Sequence, residues 1–515
     1  MEPTIKDKYI IWGFIGVAFC LISFFITLIV SAGFNQDNFV RLIVFVCSNI
    51  LGWLFYLSFQ TVIFDAYEIW KIKSGKKKSS AGIIKTQEEH LQGAHEPTAP
   101  TLMPTNGEAI PDMSTNIHTE QEPLIYLTGS NIQLITKSEL CKSIIADGKE
   151  LITGNQYGEI RVPELKDPKV YITFKEGLYL FQSTFRGCSA LKSIPENLFA
   201  NCPNVTDFSR TFNGCSALIE IPENLFANCP AVSKFYETFR GCSALKSIPE
   251  RLFANCPNVT SFDGTFQSCS ALTEIPENLF ANNQKVTNFS FTFYGCSALK
   301  SIPERLFANC PNVTTFGSTF YGCSALKSIP GNLFANNPAV TDFGYTFWDC
   351  TKLTSIPKGL FANNPAVTSF GSIFSYCMAL IEIPEGLFAS NPAIIDFSGT
   401  FSGCSALKSI PDGLFANNPA VTDFGYTFRG CSALTTIPTR LFDNNRNVTD
   451  FSDTFWGCKA LTSESPYTMI GDKKVHLYER QNYPGQFTAP TSFECAFTNC
   501  TGLRDYTQIP GDWID

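Results

Sequence analysis

Histidine is nearly missing from this chain. The four histidines among 515 residues stand at His90, His95, His118 and His476, and none falls within 188–463, the stretch that dominates the sequence. Nucleophile–base pairs and histidine metal sites therefore have nothing to draw on there. No phosphate-cradling glycine loop and no nucleophile elbow occurs either. Cys495 and Cys500 have no second pair, which argues against zinc. The net charge is −8 and the dominant stretch has no basic face, so nucleic acid is not an expected partner. The reading is no enzyme, no metal and no cofactor.

What fills the chain instead is a strict period. Cysteine recurs every 27 residues at 188, 215, 242, 269, 296, 323, 350, 377, 404, 431 and 458. A fixed period of this size signals a solenoid, each unit one coil resting on its neighbours. Within a unit, apolar residues recur every third position. Phe212, Cys215, Leu218 and Ile221 form one series, and Phe226, Cys229, Val232 and Phe235 the next. Spacing of three suits neither a strand nor an α-helix, but fits a chain that keeps turning. Short extended pieces are expected at Ala-Leu-x-x-Ile-Pro and at x-Val-Thr-x-Phe, with a helical turn at Glu-x-Leu-Phe-Ala-Asn and a glycine corner at Thr-Phe-x-Gly-Cys.

The 20 cysteines suggest a disulfide framework at first. In a second column, however, Cys202, Cys229, Cys256 and Cys310 alternate with Asn283, Asn337, Asn364, Asn391, Asn418 and Asn445. Cysteine exchanging with asparagine implies a small buried residue bonding neighbouring backbone, so free thiols are expected. Asn204, Asn258, Asn312 and Asn447 head Asn-Val-Thr triplets, which repetition of the framework explains better than glycosylation.

The run F-x-x-C-x-x-L-x-x-I-P, as in Phe185–Pro195 and Phe401–Pro411, resembles the BspA-like leucine-rich repeats of bacterial surface proteins. The resemblance covers about 185–463. It implies a leucine-rich-repeat solenoid, parallel β with short helical turns, and a role in adhesion or recognition. The 27-residue unit is longer than the family's usual one. Around the solenoid (188–463), 124–187 is expected as an N-terminal cap and 464–515 as a C-terminal cap, the latter holding a worn repeat at Phe497–Tyr506.

Two uncharged apolar runs, 9–32 and 42–64, are each long enough to cross a bilayer, so 1–70 reads as a two-helix transmembrane hairpin. Lys71, Lys73, Lys76, Lys77 and Lys78 follow it; they place both termini and the repeats in the cytoplasm and offer contact to anionic lipid. The segment 71–123 is the basic flank and a disordered tether.

The variable columns are where a partner would bind. The position before Gly-Cys carries Arg186, Arg240, Tyr294, Tyr321, Trp348, Arg429 and Trp456, and the position three earlier carries Arg210, Phe291, Tyr345 and Tyr426. Arg, Tyr and Trp dominate binding hot spots, whereas drift after duplication would favour small and charged residues. The column Lys192, Lys246, Lys300, Lys327 and Lys408 reads as a solvated face. The expected function is a membrane-anchored scaffold binding a protein through this ridge. The alternatives are a surface adhesin with the repeats outside, binding host protein or glycan, and a membrane effector that assembles with copies of itself through the hairpin.

Overall fold

The computed structural model describes residues 122–152 and 157–515, all within one unit spanning Asp112–Asp515. The spacing of three is explained by backbone hydrogen bonds. Thr211 N donates to Phe208 O (3.1 Å), Cys215 N to Phe212 O (3.1 Å), Leu218 N to Cys215 O (3.0 Å) and Cys229 N to Phe226 O (3.1 Å). Such three-residue turns point every third side chain the same way, so the Phe, Cys, Leu, Val and Ile series all turn inward and are buried. Amides between the turns reach the next coil instead: Phe208 N to Lys234 O (3.0 Å), Arg210 N to Tyr236 O (2.8 Å), Phe212 N to Thr238 O (2.9 Å) and Gly214 N to Arg240 O (2.7 Å). One coil is thus 27 residues.

The expected extended piece at Val-Thr-x-Phe is present, but as a single parallel bridge per coil. It runs Leu180, Asp207, Lys234, Ser261 and onward to Asp450 and Ser492. Turn bonds take the alternate amides, as Thr211 N to Phe208 O and Asn213 N to Arg210 O, so the pairing does not extend into a continuous strand. Around Ile-Pro the coils touch more loosely, through bonds such as Ile219 N to Lys192 O (3.2 Å) and one bridge, Ser409 with Thr436. The expected helical turn after Pro222 stays a three-residue turn, since the stretch before Cys229 is too short to sustain a helix.

The core is three ladders of phenylalanine rings with cross-contacts such as Phe208 to Phe226 at 4.7 Å. Burying one such ring contributes roughly 1.5–3 kcal/mol. Polar ladders line it. Cys215 Sγ lies 3.2 Å from Phe185 O, and in the second column Cys256 Sγ approaches Cys229 O (3.7 Å) just as Asn337 Nδ2 donates to Cys310 O (2.8 Å). The two residue types serve the same carbonyls, as their exchange in sequence implies. All 18 cysteines of the described residues are free. Burial pushes the Cys296 thiol up to about 12, so it stays protonated.

Ring spacing also reveals curvature. Equivalent rings sit 6.2 Å apart in the column of Phe226 and Phe253, and 5.6 Å apart in that of Phe239 and Phe266. On the adjoining surface Tyr294 and Tyr321 are 4.3 Å apart. Coils therefore close up towards the 208–214 side, and that side of the stack is concave.

At the N-terminal end an antiparallel sheet of order β4-β3-β6-β1-β7 covers the first coil. Its strands are β1 (Leu124–Tyr126), β3 (Cys141–Ala146), β4 (Lys149–Glu150), β6 (Lys169–Phe174) and β7 (Leu191–Ser193), the last belonging to the coil itself. Beside it β2 (Gly129–Ile135) pairs with β5 (Ile160–Leu165). Just past β2, Thr136 N donates to Thr184 O (2.8 Å). At the other end, the hairpin of β8 (Tyr467–Ile470) and β9 (Lys473–His476) leads to Arg480. Arg480 Nη1 donates to Asn445 O (2.9 Å) and Nη2 to Phe442 O (2.8 Å). Asn445 treats the preceding coil the same way, donating to Asn418 O and Phe415 O. One arginine thus takes the place of the asparagine of a coil that does not follow.

No helix among the described residues is long and apolar enough to cross a membrane. The helical segments of the described residues are short, the longest being Leu477–Asn482, and none approaches the roughly 20 apolar residues a span needs. The expectation of a two-span integral membrane protein with cytoplasmic termini and repeats is therefore not supported by the described residues. The segments 9–32 and 42–64 and the lysines Lys71, Lys73, Lys76, Lys77 and Lys78 lie outside the described residues, as does 71–121.

Candidate functional site

Both variable columns lie on the concave side, beside the inter-coil bonds. The column of Arg210 has an unusual backbone. Ser183, Arg210, Glu237, Phe291, Ser318, Tyr345, Ser372, Tyr426 and Asp453 all hold φ between 51° and 60°, as do Gly264 (60°) and Gly399 (61°). The geometry follows from the bonding: the residue gives its N–H to the next coil while the chain must turn back into the core. Left-handed backbone costs an L-residue about 1–2 kcal/mol, and glycine nearly nothing. Phe291, Tyr345 and Tyr426 nevertheless occupy it and remain 41%, 50% and 45% exposed.

The ridge has three parts. In the first coils, Glu237 is buried between two guanidiniums, with Arg210 Nε at 2.8 Å and Arg240 Nη1 at 2.5 Å. Arg210 also lies over the Tyr236 ring (4.9 Å), while Arg186 is exposed. In the middle, Tyr294, Tyr321 and Trp348 stack at 4.3 and 4.2 Å, and Tyr376 meets Trp348 edge-on at 5.1 Å. Phe291 leans on Tyr294 (5.9 Å). Burial, followed by the neighbouring Tyr294, pushes the Tyr321 hydroxyl well above the usual tyrosine range. In the last coils, Arg429 lies over Trp456 (4.5 Å) and Tyr426 (5.7 Å). Its Nε is 3.3 Å from Asp453 Oδ1, close enough for ion pairing, though without hydrogen-bond alignment. Small residues, Ser372, Ser375, Gly399 and Ser402, separate the middle part from the last.

Tyr376 is a member the sequence reading does not single out. It stands where most units have the glycine before cysteine, with φ 58°, and the signal is the broken motif Ser375-Tyr376-Cys377. A row of carboxylates beside the ridge is the other addition. Asp342, Asp396, Asp423 and Asp450 occupy the bridge column and accept from the backbone two residues on, as Gly425 N does to Asp423 Oδ1 (2.8 Å). Asp423 is pushed up to about 6 by burial, helped by Asp450 and Asp396 and opposed by that amide. Asp263 is likewise pushed up to about 6 by burial and then Glu237.

One cluster outside the ridge has the residue types of a nucleophilic triad. Ser465 Oγ lies 2.7 Å from His476 Nδ1 and 2.5 Å from Asp505 Oδ2. The serine bridges the other two, so the carboxylate does not align the imidazole behind it. Ser465 is fully buried, and its own N–H bonds Asp505 Oδ1 (2.9 Å). The cluster ties the hairpin of the C-terminal cap to its worn repeat.

A model of the BspA type leucine rich repeat region matches residues 192–463 in 6 copies, just over half of the chain. The chain belongs to that family. No curated protein matches it. Among solved structures, a chain of the Toll–Spatzle complex of Drosophila is 18% identical over 55% of this chain and 39% of its own, with a TM-score of 0.31. This chain thus spans under half of that relative's length. A leucine-rich repeat protein from Bacteroides ovatus is 17% identical over 64% of this chain and 88% of its own (TM-score 0.26). A leucine rich cell surface protein from Faecalibacterium prausnitzii is 18% identical over 62% and 88% (TM-score 0.23). In this BspA-type solenoid the framework columns barely change from coil to coil, and individuality is concentrated on the concave ridge.

Proposed function

We propose that the repeat body is a non-catalytic recognition scaffold that docks a protein on its concave ridge. The observation that carries this reading is the placement of Phe291, Tyr345 and Tyr426. Each combines a left-handed backbone with an exposed ring, at a position where five other coils use glycine or serine. Neither stability nor solubility favours that choice. Arg429, held over Trp456 and Tyr426, adds a pre-ordered guanidinium of the kind that anchors interfaces. A protein suits the surface better than a glycan, because Tyr294, Tyr321 and Trp348 spend their ring faces on one another and present edges. Stacking on a sugar needs a free face.

Replacing Tyr345, Trp348, Tyr426 and Trp456 by alanine is expected to abolish capture of the partner while the melting transition stays cooperative. Unchanged capture by the quadruple variant would remove the ridge from consideration.

A further inference from the structure

The ridge is electrically lopsided. Around the first three coils Arg186, Arg210, Lys234 and Arg240 outnumber Asp207 and Glu237. From Asp342 onward the same columns carry Asp342, Asp396, Asp423, Asp450 and Asp453, against Arg429 among the described residues, and the adjoining glycine column adds Asp349. The carboxylates of the bridge column stand on consecutive or alternate coils, facing the same way, and repel one another. Asp450 and Asp453 also border Tyr426 closely enough to raise its hydroxyl, after burial, above the usual range. This acidic half of the ridge holds the exposed rings of Tyr345, Tyr376 and Tyr426. Carboxylates interleaved with exposed rings match a lysine or arginine side chain twice, at the charged head and along the apolar stem.

The curvature narrows the choice of occupant. Two concave faces meet only at their rims, so a second copy of this chain does not seat here along its length. A convex or extended segment does. We propose that the concave face from Asp342 to Asp453 docks a lysine- or arginine-rich segment of a partner protein. This deepens the ridge reading above and rests on it.

The test uses the full chain and a fluorescent peptide alternating lysine with serine, titrated by anisotropy near physiological salt, with a glutamate–serine peptide as comparison. The variant is D396N/D423N/D450N. Asn288 already fills this column and accepts from Ser290 N (2.7 Å), so asparagine keeps the fold. A control, E223Q/E250Q/E277Q, removes the same charge from exposed glutamates after the Ile-Pro corner. The lysine peptide should bind the native chain and the glutamate peptide should not. The aspartate variant should weaken binding about tenfold or more, as for loss of close charge pairs, and the control by less than about twofold. Equal losses from both variants, binding of the glutamate peptide, or no binding of the lysine peptide would each overturn the proposal. Should the aspartate variant capture the native partner normally while the aromatic quadruple variant does not, the ridge reading stands and the basic occupant falls.

Discussion

A tyrosine held at φ near 60° is the most telling detail of this protein. Comparing alanine with glycine at such a site isolates the backbone, because both remove the ring. Tyr345→Gly should be more stable than Tyr345→Ala by about 1 kcal/mol, since alanine keeps a Cβ where the left-handed conformation disfavours one. Thermal melts of the two variants check this, and an alanine variant equal to or above the glycine one would contradict it. Both should lose partner binding. Asp423 gives a second outcome. Its folded pKa of about 6 lies above its unfolded value, so between the two the native state holds more protons and stability falls as pH rises. Asp423→Asn keeps the acceptor for Gly425 N and should be more stable than the native chain at pH 7–8, with the difference vanishing near pH 4. Denaturant melts at the two pH values measure it.

Within a coil, the ladders decide what is tolerated. Cys256→Asn should melt like the native chain, because asparagine elsewhere in the column bonds the same carbonyls, whereas Cys256→Asp would bury a charge and unfold the coil. At the C-terminal end Arg480 replaces an entire missing rung. Burial pulls its guanidinium down to about 9, still charged at neutral pH, and the Phe451 and Phe487 rings lie 5.4 and 4.5 Å from it. Arg480→Ala leaves two carbonyls unpaired and should destabilise the last coil by roughly 2–4 kcal/mol. Faster hydrogen exchange confined to 442–458 would report it, and an unchanged pattern would contradict the capping role. The coil length, the turn spacing and the Cys–Asn exchange are all legible in the sequence, because each is a column that recurs. Arg480 is not, since it lies where the register breaks and no column assigns it a place. Tyr376 hides for a similar reason, in a column that is mostly glycine. The expected strands shrink to one bridge per coil because turn spacing says nothing about how many residues pair across coils.

Across the described stack, stability should behave as a sum of coils and interfaces. Removing 243–269, one full register, joins Cys242 to Ser270 and preserves every column, so a cooperative melt is expected; removing only 257–269 sets phenylalanines against the wrong columns and should abolish it. Which columns make the binding face is partly legible: the Tyr, Trp and Arg positions announce themselves, while the concavity and the left-handed backbone exist only once coils are stacked. Hydroxyl-radical footprinting of the full chain with and without its captured partner tests the ridge most directly. Tyr345, Trp348, Tyr376, Tyr426 and Trp456 should become protected together, while Tyr157 and Tyr179, exposed near the N-terminal cap, keep their oxidation rates. Protection of Tyr157 and Tyr179 with the five ridge residues unchanged would contradict the account.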